Sequence, residues 1–199
     1  MRRLKTEIIT GGLSANTLYT AKAFANQFGV SLTPVREALL ELEKDGLIRI
    51  ASNVGFQVVL PTDRELVEAH ELRVLVEVPT MANLAGRLTG SALEEAWRLC
   101  RLTQTTGESG DLVAYLQANR AFHRHLLEQA GNARITKLLD ELREAQRKPV
   151  LRTMQQHGNL RSRGIEHEDI LRAIGAGDRE LVAKLTAKHL EISVPKARR

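Results

Sequence analysis

The sequence predicts a mainly α-helical chain in two parts: a small head that mixes helix with a hairpin, and a longer body that is helical throughout. Three observations lead there. Strand-like alternation is confined to one stretch, LIRIASNVGFQVVL at 47–60. It stops at Pro61, and Thr62-Asp63-Arg64-Glu65 then offers a capping box, since the Thr62 hydroxyl can accept from the backbone N–H of Glu65. Beyond that point apolar residues recur at helical spacing and no further strand pattern stands out. The expected domains are 1–61 and 62–199.

In the head, a first helix is expected to end at Gly11-Gly12 and a second to run from about Thr20 to Gln27, with a tight turn at Gly29. The third should run from Pro34 to Asp45, where Val35, Ala38, Leu39 and Leu42 form one apolar stripe. Thr33 reads as its N-cap and Pro34 as its first residue, a position where the missing N–H costs nothing. In the hairpin, Ile48 and Ile50 alternate with Arg49 and Ala51, Phe56 and Val58 flank Gln57, and Asn53-Val54-Gly55 supplies the turn. Three short helices and a hairpin make a winged helix-turn-helix.

The body should be an antiparallel bundle of about six helices, at roughly 63–88, 92–106, 111–130, 133–156, 161–175 and 178–192. Ser91 and Glu94 suggest a capping box, Gly131-Asn132 a helix end, and Gly175–Gly177 before Asp178 an end followed by a cap. Pro149 should kink or split its helix.

Composition bounds the chemistry. The 199 residues can bury a sizeable core, and 43% hydrophobic with 27% charged is ordinary for a globular protein. Aromatics at 4% argue against a base-stacking platform. The single cysteine, Cys100, excludes an internal disulfide and reads as core. No apolar run reaches membrane-spanning length, and MRRLKTEIITGG lacks the apolar core of a signal peptide, so a cytoplasmic location without membrane association is expected. A net charge of +5 permits an anionic partner without requiring one.

The third helix presents Arg36 near its N-terminus, beside Pro34. Recognition helices enter a major groove in this way, and arginine's planar fork suits guanine or phosphate. The head is no basic stripe, however: it holds seven Lys/Arg against five Asp/Glu. FGVSLTPVREALLELEKDGLI resembles the signature of GntR-type bacterial transcription regulators, IITGGLSANTLYTAKAFANQFGVS is similar to that family's first two helices, and LIRIASNVGFQVV to its wing. The resemblance implies double-stranded DNA as partner, read by two chains on a palindrome. It implies that Arg36 contacts DNA, that Lys22 holds a site often basic, that Ser31 and Thr33 touch phosphate or base, and that Gly55 lets the wing tip approach the minor groove. Leu32 stands where the family usually has arginine; this puts the usual half-site in doubt, and a thymine methyl is a possible alternative contact.

Six histidines occur: His70, His123, His125, His157, His167 and His189. Taken singly, each reads as a surface or satisfied side chain. Asn119 and His123 are spaced i, i+4 on one helix, and His167 and His189 lie on two later ones. Three imidazoles and one oxygen would suit a first-row divalent metal with positions left open. ANRAFHRHLLEQAGN and EHEDILRAIGAGDRELVAKLTAKHL resemble the FCD effector domain of FadR-type GntR regulators. That resemblance implies a metal (zinc, nickel or manganese) at His123, His167 and His189, holding a small organic acid. Asn119 replaces the usual aspartate and keeps a metal-free body open. Arg73 falls where the family commonly has an arginine, implying a carboxylate contact, with a salt bridge inside the bundle as the other reading. The expectation is a ligand-responsive, dimeric, DNA-binding regulator that is not an enzyme. Its rivals are a metal-dependent helical hydrolase and a DNA-binding protein whose body only dimerises. HExxH, phosphate-loop and nucleophile-elbow motifs are all missing.

Overall fold

The computed structural model describes residues 7, 12–14, 17–44, 47–51, 54–59, 61–143 and 160–191. The end of the first expected helix, Asn53, Pro149 and His157 include positions outside these residues. Among those described, the chain runs β1 (Leu18–Tyr19), α1 (Ala21–Phe28), α2 (Leu32–Lys44), β2 (Ile48–Ala51) and β3 (Gly55–Val58). The body follows as α3 (Asp63–Ala82), α4 (Gly90–Ser109), α5 (Leu112–Gln129), the helical segment 133–143 (α6), α7 (Leu160–Ala176) and α8 (Arg179–Leu190).

In the head, the Thr20 hydroxyl caps α1 by accepting from the Ala23 N–H, and Gly29 ends it in the left-handed region at φ 65°. The turn through Gly29, Val30 and Ser31 leads into α2. That helix begins at Leu32, two residues before the expected start. Thr33 is therefore a helical residue and not the N-cap. Pro34 is tolerated at the third position because the first turn's N–H groups have no partners inside the helix. Val35, Ala38, Leu39 and Leu42 are buried, as the apolar stripe requires. They pack with Phe24, Leu47, Ile48, Phe56 and Val58 into one core, where Phe24 meets Phe56 at 5.5 Å and Tyr19 at 6.0 Å between ring centroids. Glu43 fastens α2 to the sheet by accepting from the Ile50 N–H at 2.7 Å.

The hairpin forms with Ile48 opposite Val58 and Ala51 opposite Gly55. A third strand joins it: β1 pairs antiparallel with β3, placing β3 in the centre of a three-stranded sheet. Two residues are too few to show alternation in a sequence. The extra strand also gives Gly55 a structural reason, because a Cβ there would collide with the Tyr19 carbonyl oxygen.

The body opens with the expected capping box. Thr62 Oγ1 accepts from the Glu65 N–H at 3.2 Å, and the Glu65 carboxylate accepts from the Thr62 N–H at 2.7 Å. The first body helix stops at Ala82, six residues early, and turns carry the chain to α4. The Ser91–Glu94 capping box does not form: α4 begins at Gly90 with Thr89 at its cap and no side-chain hydrogen bond there. Asp111 and Asp178 cap α5 and α8. Asn132 accepts from the N–H groups of Arg134 and Ile135 at the head of α6. Phe122, Leu126, Leu139, Ile170, Leu171, Ile174 and Val182 anchor the core, all 1% exposed or less. Helix α4 packs against α5 and α7, and α8 against α3 and α7. Gly164 sets the α4–α7 approach, since a Cβ there would lie 2.6 Å from Gln104 Cγ and 3.2 Å from its Cα.

Candidate functional site

Helix α5 carries Tyr115, Asn119 and His123 one turn apart on one face. His123 meets His167 of α7 and His189 of α8 in the bundle interior, with exposures of 2%, 0% and 5%. Their candidate ligand nitrogens all lie within 4.8 Å of one another. A metal–nitrogen bond of about 2.1 Å allows at most about 4.2 Å between two donors, so slight contraction would seat an ion. The rings pack together, and Phe122 covers His167 at 4.4 Å between centroids.

Partners assign the tautomers. The Thr103 hydroxyl donates to the Cys100 carbonyl at 2.7 Å, so toward His167 Nδ1, at 3.2 Å, it acts as acceptor. His167 thus carries its proton on Nδ1, and its buried Nε2 has no partner. His189 Nδ1 donates to Glu166 Oε2 at 2.7 Å, leaving its Nε2 facing His123 Nε2 at 3.3 Å. His123 Nδ1 is buried without a partner. Burial, first of all, drives all three imidazoles well below their ordinary pKa, and nearby arginines add to the effect. They are neutral nitrogen donors, with an outer hydroxyl and carboxylate holding two of them in orientation.

Two ion-pair groups flank this triad. Arg73 and Arg143 share the carboxylate of Glu77, which is 1% exposed; Arg73 Nε donates to it at 3.0 Å. Burial raises the Glu77 carboxyl, and the two guanidinium groups more than reverse this, so it lies below the usual range. Burial also pushes Arg143 down to about 10, which leaves it charged at neutral pH. On α7, Arg163 donates to Glu166 at 2.6 Å and to the His189 carbonyl at 2.8 Å. Tyr115 Oη, Arg143 Nε, Arg163 Nε and Thr186 Oγ1 are buried without partners, as are the two histidine nitrogens. Such atoms are rare in folded proteins and mark places where an ion, water or ligand belongs. The donor set fits a divalent metal.

Asn119 is half-buried one turn before His123. Arg73 is buried in its ion pair with Glu77, the bundle salt bridge that was one of its two readings. Of the histidines expected at the surface, His125 is instead half-buried with Nε2 2.8 Å from the Ala92 carbonyl. His70 is also half-buried, and its Nδ1 has no partner.

Glu166 is the sequence neighbour of His167, and adjacent residues on a helix point in different directions. It does point elsewhere, by about 100° around the helix, and that direction is toward His189. The i, i+3, i+4 spacing of Arg163, Glu166 and His167 was the available signal. Arg143 sits among ordinary surface-like charges and gave none.

In the head, Lys22, Ser31, Thr33 and Arg36 are exposed. Lys22 and Arg36 form no ion pair among the described residues. Leu32 is half-buried and packs on the head core; Leu40, one turn beyond Arg36, is the more open leucine at 60% exposed.

Comparison with known proteins matches residues 68–192 to the FCD domain and residues 1–58 to the bacterial regulatory proteins of the gntR family. The chain is 29% identical to the HTH-type transcriptional regulator McbR of Escherichia coli K12 over 139 residues, 70% of this chain and 63% of that protein. The chain thus matches less than two thirds of that relative's length. A probable D-xylose utilization operon transcriptional repressor of Paenarthrobacter nicotinovorans is 29% identical over 193 residues, covering 95% of this chain and 83% of the repressor. Among solved structures, E. coli McbR/YncC superposes with a TM-score of 0.72 at 26% identity, over 96% of this chain and 91% of that one. A GntR regulator from Rhodococcus sp. RHA1 shares the fold with a TM-score of 0.70 at 23% identity, over 94% and 90%.

Proposed function

The chain belongs to the bacterial regulatory proteins of the gntR family and carries an FCD domain, and from that premise we propose that it binds double-stranded DNA as a homodimer, under the control of a divalent transition metal and a small carboxylate held in its body. Residues 1–61 form the DNA-binding unit and 62–199 the sensing and dimerising unit. No helix among the described residues is long and apolar enough to cross a membrane.

The observation that carries the sensing role is the convergence of three neutral, buried imidazoles whose free nitrogens have no partner outside the triad. His123, His167 and His189 would hold zinc, nickel or manganese, with Asn119 as an oxygen donor in place of a carboxylate. The metal would supply a cationic centre for a carboxylate oxygen. Arg73, through its share in the Glu77 pair, adds positive potential on the same ligand. An effector of this kind regulates only if it binds the DNA-competent arrangement of the dimer with a different affinity from the other.

The rival readings fit less well. A hydrolase would need a free base near the metal, and the Glu166 carboxylate is already engaged by His189 and Arg163. A body that only dimerised would gain nothing from burying two arginines and three histidines, since desolvating such groups is costly.

In the head, Arg36 is the main base reader, supported by Lys22, Ser31, Thr33 and the wing at Gly55. Leu32 contributes at the edge of the contact. Selection from random duplexes, followed by fluorescence anisotropy, tests this. The wild type should enrich a two-fold symmetric site. Arg36→Ala should bind it at least about tenfold more weakly, as expected for loss of a bidentate base contact. Selection of no site, or equal binding by the variant, would remove the assignment.

A further inference from the structure

Helix α2 has two faces. Val35, Ala38, Leu39 and Leu42 are buried in the head core. Thr33, Arg36, Glu37 and Leu40 are all exposed and follow i, i+3, i+4, i+7 along the other side. At about 100° per residue, Leu40 falls between Thr33 and Arg36 around the helix, and it lies about 6 Å beyond Arg36 along the axis. Homeodomain recognition helices read the major groove with this same spacing.

A single exposed leucine is ordinary on a protein surface. Leu40 is set apart by its company. The other large apolar side chains of α2 are withdrawn: Val35, Leu39 and Leu42 are 5%, 4% and 2% exposed, and Leu32 is half-buried against the head core. Leu32, which the sequence offers to a thymine methyl, is thus committed to the protein. The open apolar surface of the helix lies at Leu40, 60% exposed and in the middle of the outward face.

Base-edge chemistry decides what such a face can read. In the major groove the thymine C5 methyl is the apolar feature, and an aliphatic side chain covers it without leaving a polar group unpaired. A polar base edge at that place would lose water to a side chain that cannot hydrogen-bond, which costs affinity. Glu37 beside it is repelled by phosphate and can accept from a cytosine amine. This part of α2 therefore suits base edges better than the DNA backbone, while Arg36 can serve guanine or phosphate.

We infer that Leu40 is a specificity-determining residue that covers a thymine methyl, about one or two base steps from the base that Arg36 contacts. The inference rests on the proposed DNA-reading role and adds one base, and the residue that reads it.

The test uses the duplex that full-length wild-type protein selects. Each thymine of one half-site is replaced in turn by deoxyuridine, which removes the methyl and nothing else. Binding of wild type and of Leu40→Ala is then measured by fluorescence anisotropy. One thymine, within about two base pairs of the position at which Arg36→Ala stops discriminating, should carry the effect. Wild type should bind about fourfold more weakly without that methyl, as expected for one buried carbon. Leu40→Ala should bind the two duplexes alike. Equal binding of wild type to every deoxyuridine duplex would overturn the inference while leaving a DNA-reading head intact, and so would a selected half-site with no thymine there. A Leu40→Ala variant that keeps the methyl dependence would overturn it too, whatever its overall affinity, and would leave Leu40 to a contact between protein chains. Selection of no site would remove the DNA-reading role on which the inference stands, and the inference with it.

Discussion

His189 commits one ring nitrogen to Glu166 and turns the other toward His123. That division of labour recurs at His167 through Thr103, and it has a measurable consequence in protein stripped of metal. Buried imidazoles driven well below their ordinary pKa stay neutral in the folded state, while in the unfolded chain they take up protons below about pH 6.5. The unfolded state then binds more protons, so stability is complete above that pH and falls as the pH drops through it. Each histidine contributes up to about 1.4 kcal/mol per pH unit, and urea midpoints in chelator-treated protein should therefore fall clearly between pH 7.5 and 5.5. Replacing His167 with glutamine should make that fall shallower; an unchanged midpoint across the range would contradict the assigned protonation. The three histidines were legible because their side chains are few and chemically distinct. Thr103 and Arg143 were not, since residues of these types occur throughout a helical bundle and only the packing of α4 and α6 against the helices of the triad sets them near it.

At the level of elements, the register of α7 against α4 decides whether the site exists. Gly164 lies between Arg163 and the Glu166-His167 pair, and its lack of a side chain permits the close approach to Gln104. Cys100 Sγ, 3.9 Å from the Gly164 carbonyl, marks the same contact. Gly164→Val should push α7 outward, lower stability by about 1–3 kcal/mol as overpacking does, and reduce metal binding without changing DNA recognition by the head. Thermal melting and metal titration check it; a variant that holds metal as the wild type does would show that the approach is dispensable. The helix order followed from periodicity and capping residues, and Thr62, Gly177 and Asp178 act where their chemistry places them. Errors came where local signals compete. Thr33 resembles a cap yet lies inside α2, Ser91 and Glu94 have capping spacing yet the helix starts ahead of them, and β1 is defined only by its pairing partner.

For the whole molecule, the head and body divide the work: an exposed α2 face carrying Arg36, and a buried charged and imidazole cluster that a DNA-binding head would not need for its own stability. The head's charge excess is small, so the proposed DNA recognition would lean on placed contacts, and on a two-fold repeat if two chains pair as proposed, rather than on a strong electrostatic field. In the proposed function the metal site would join the two parts, because an occupied site would give the body a ligand to report. The most direct measurement is the metal content of untagged protein purified without chelator and then incubated with zinc, nickel or manganese, beside a His167→Ala variant shown by circular dichroism to be folded. About one ion per chain in the wild type and none in the variant is the expected result. No bound metal in the wild type, or equal metal in both, would contradict a sensing centre at His123, His167 and His189.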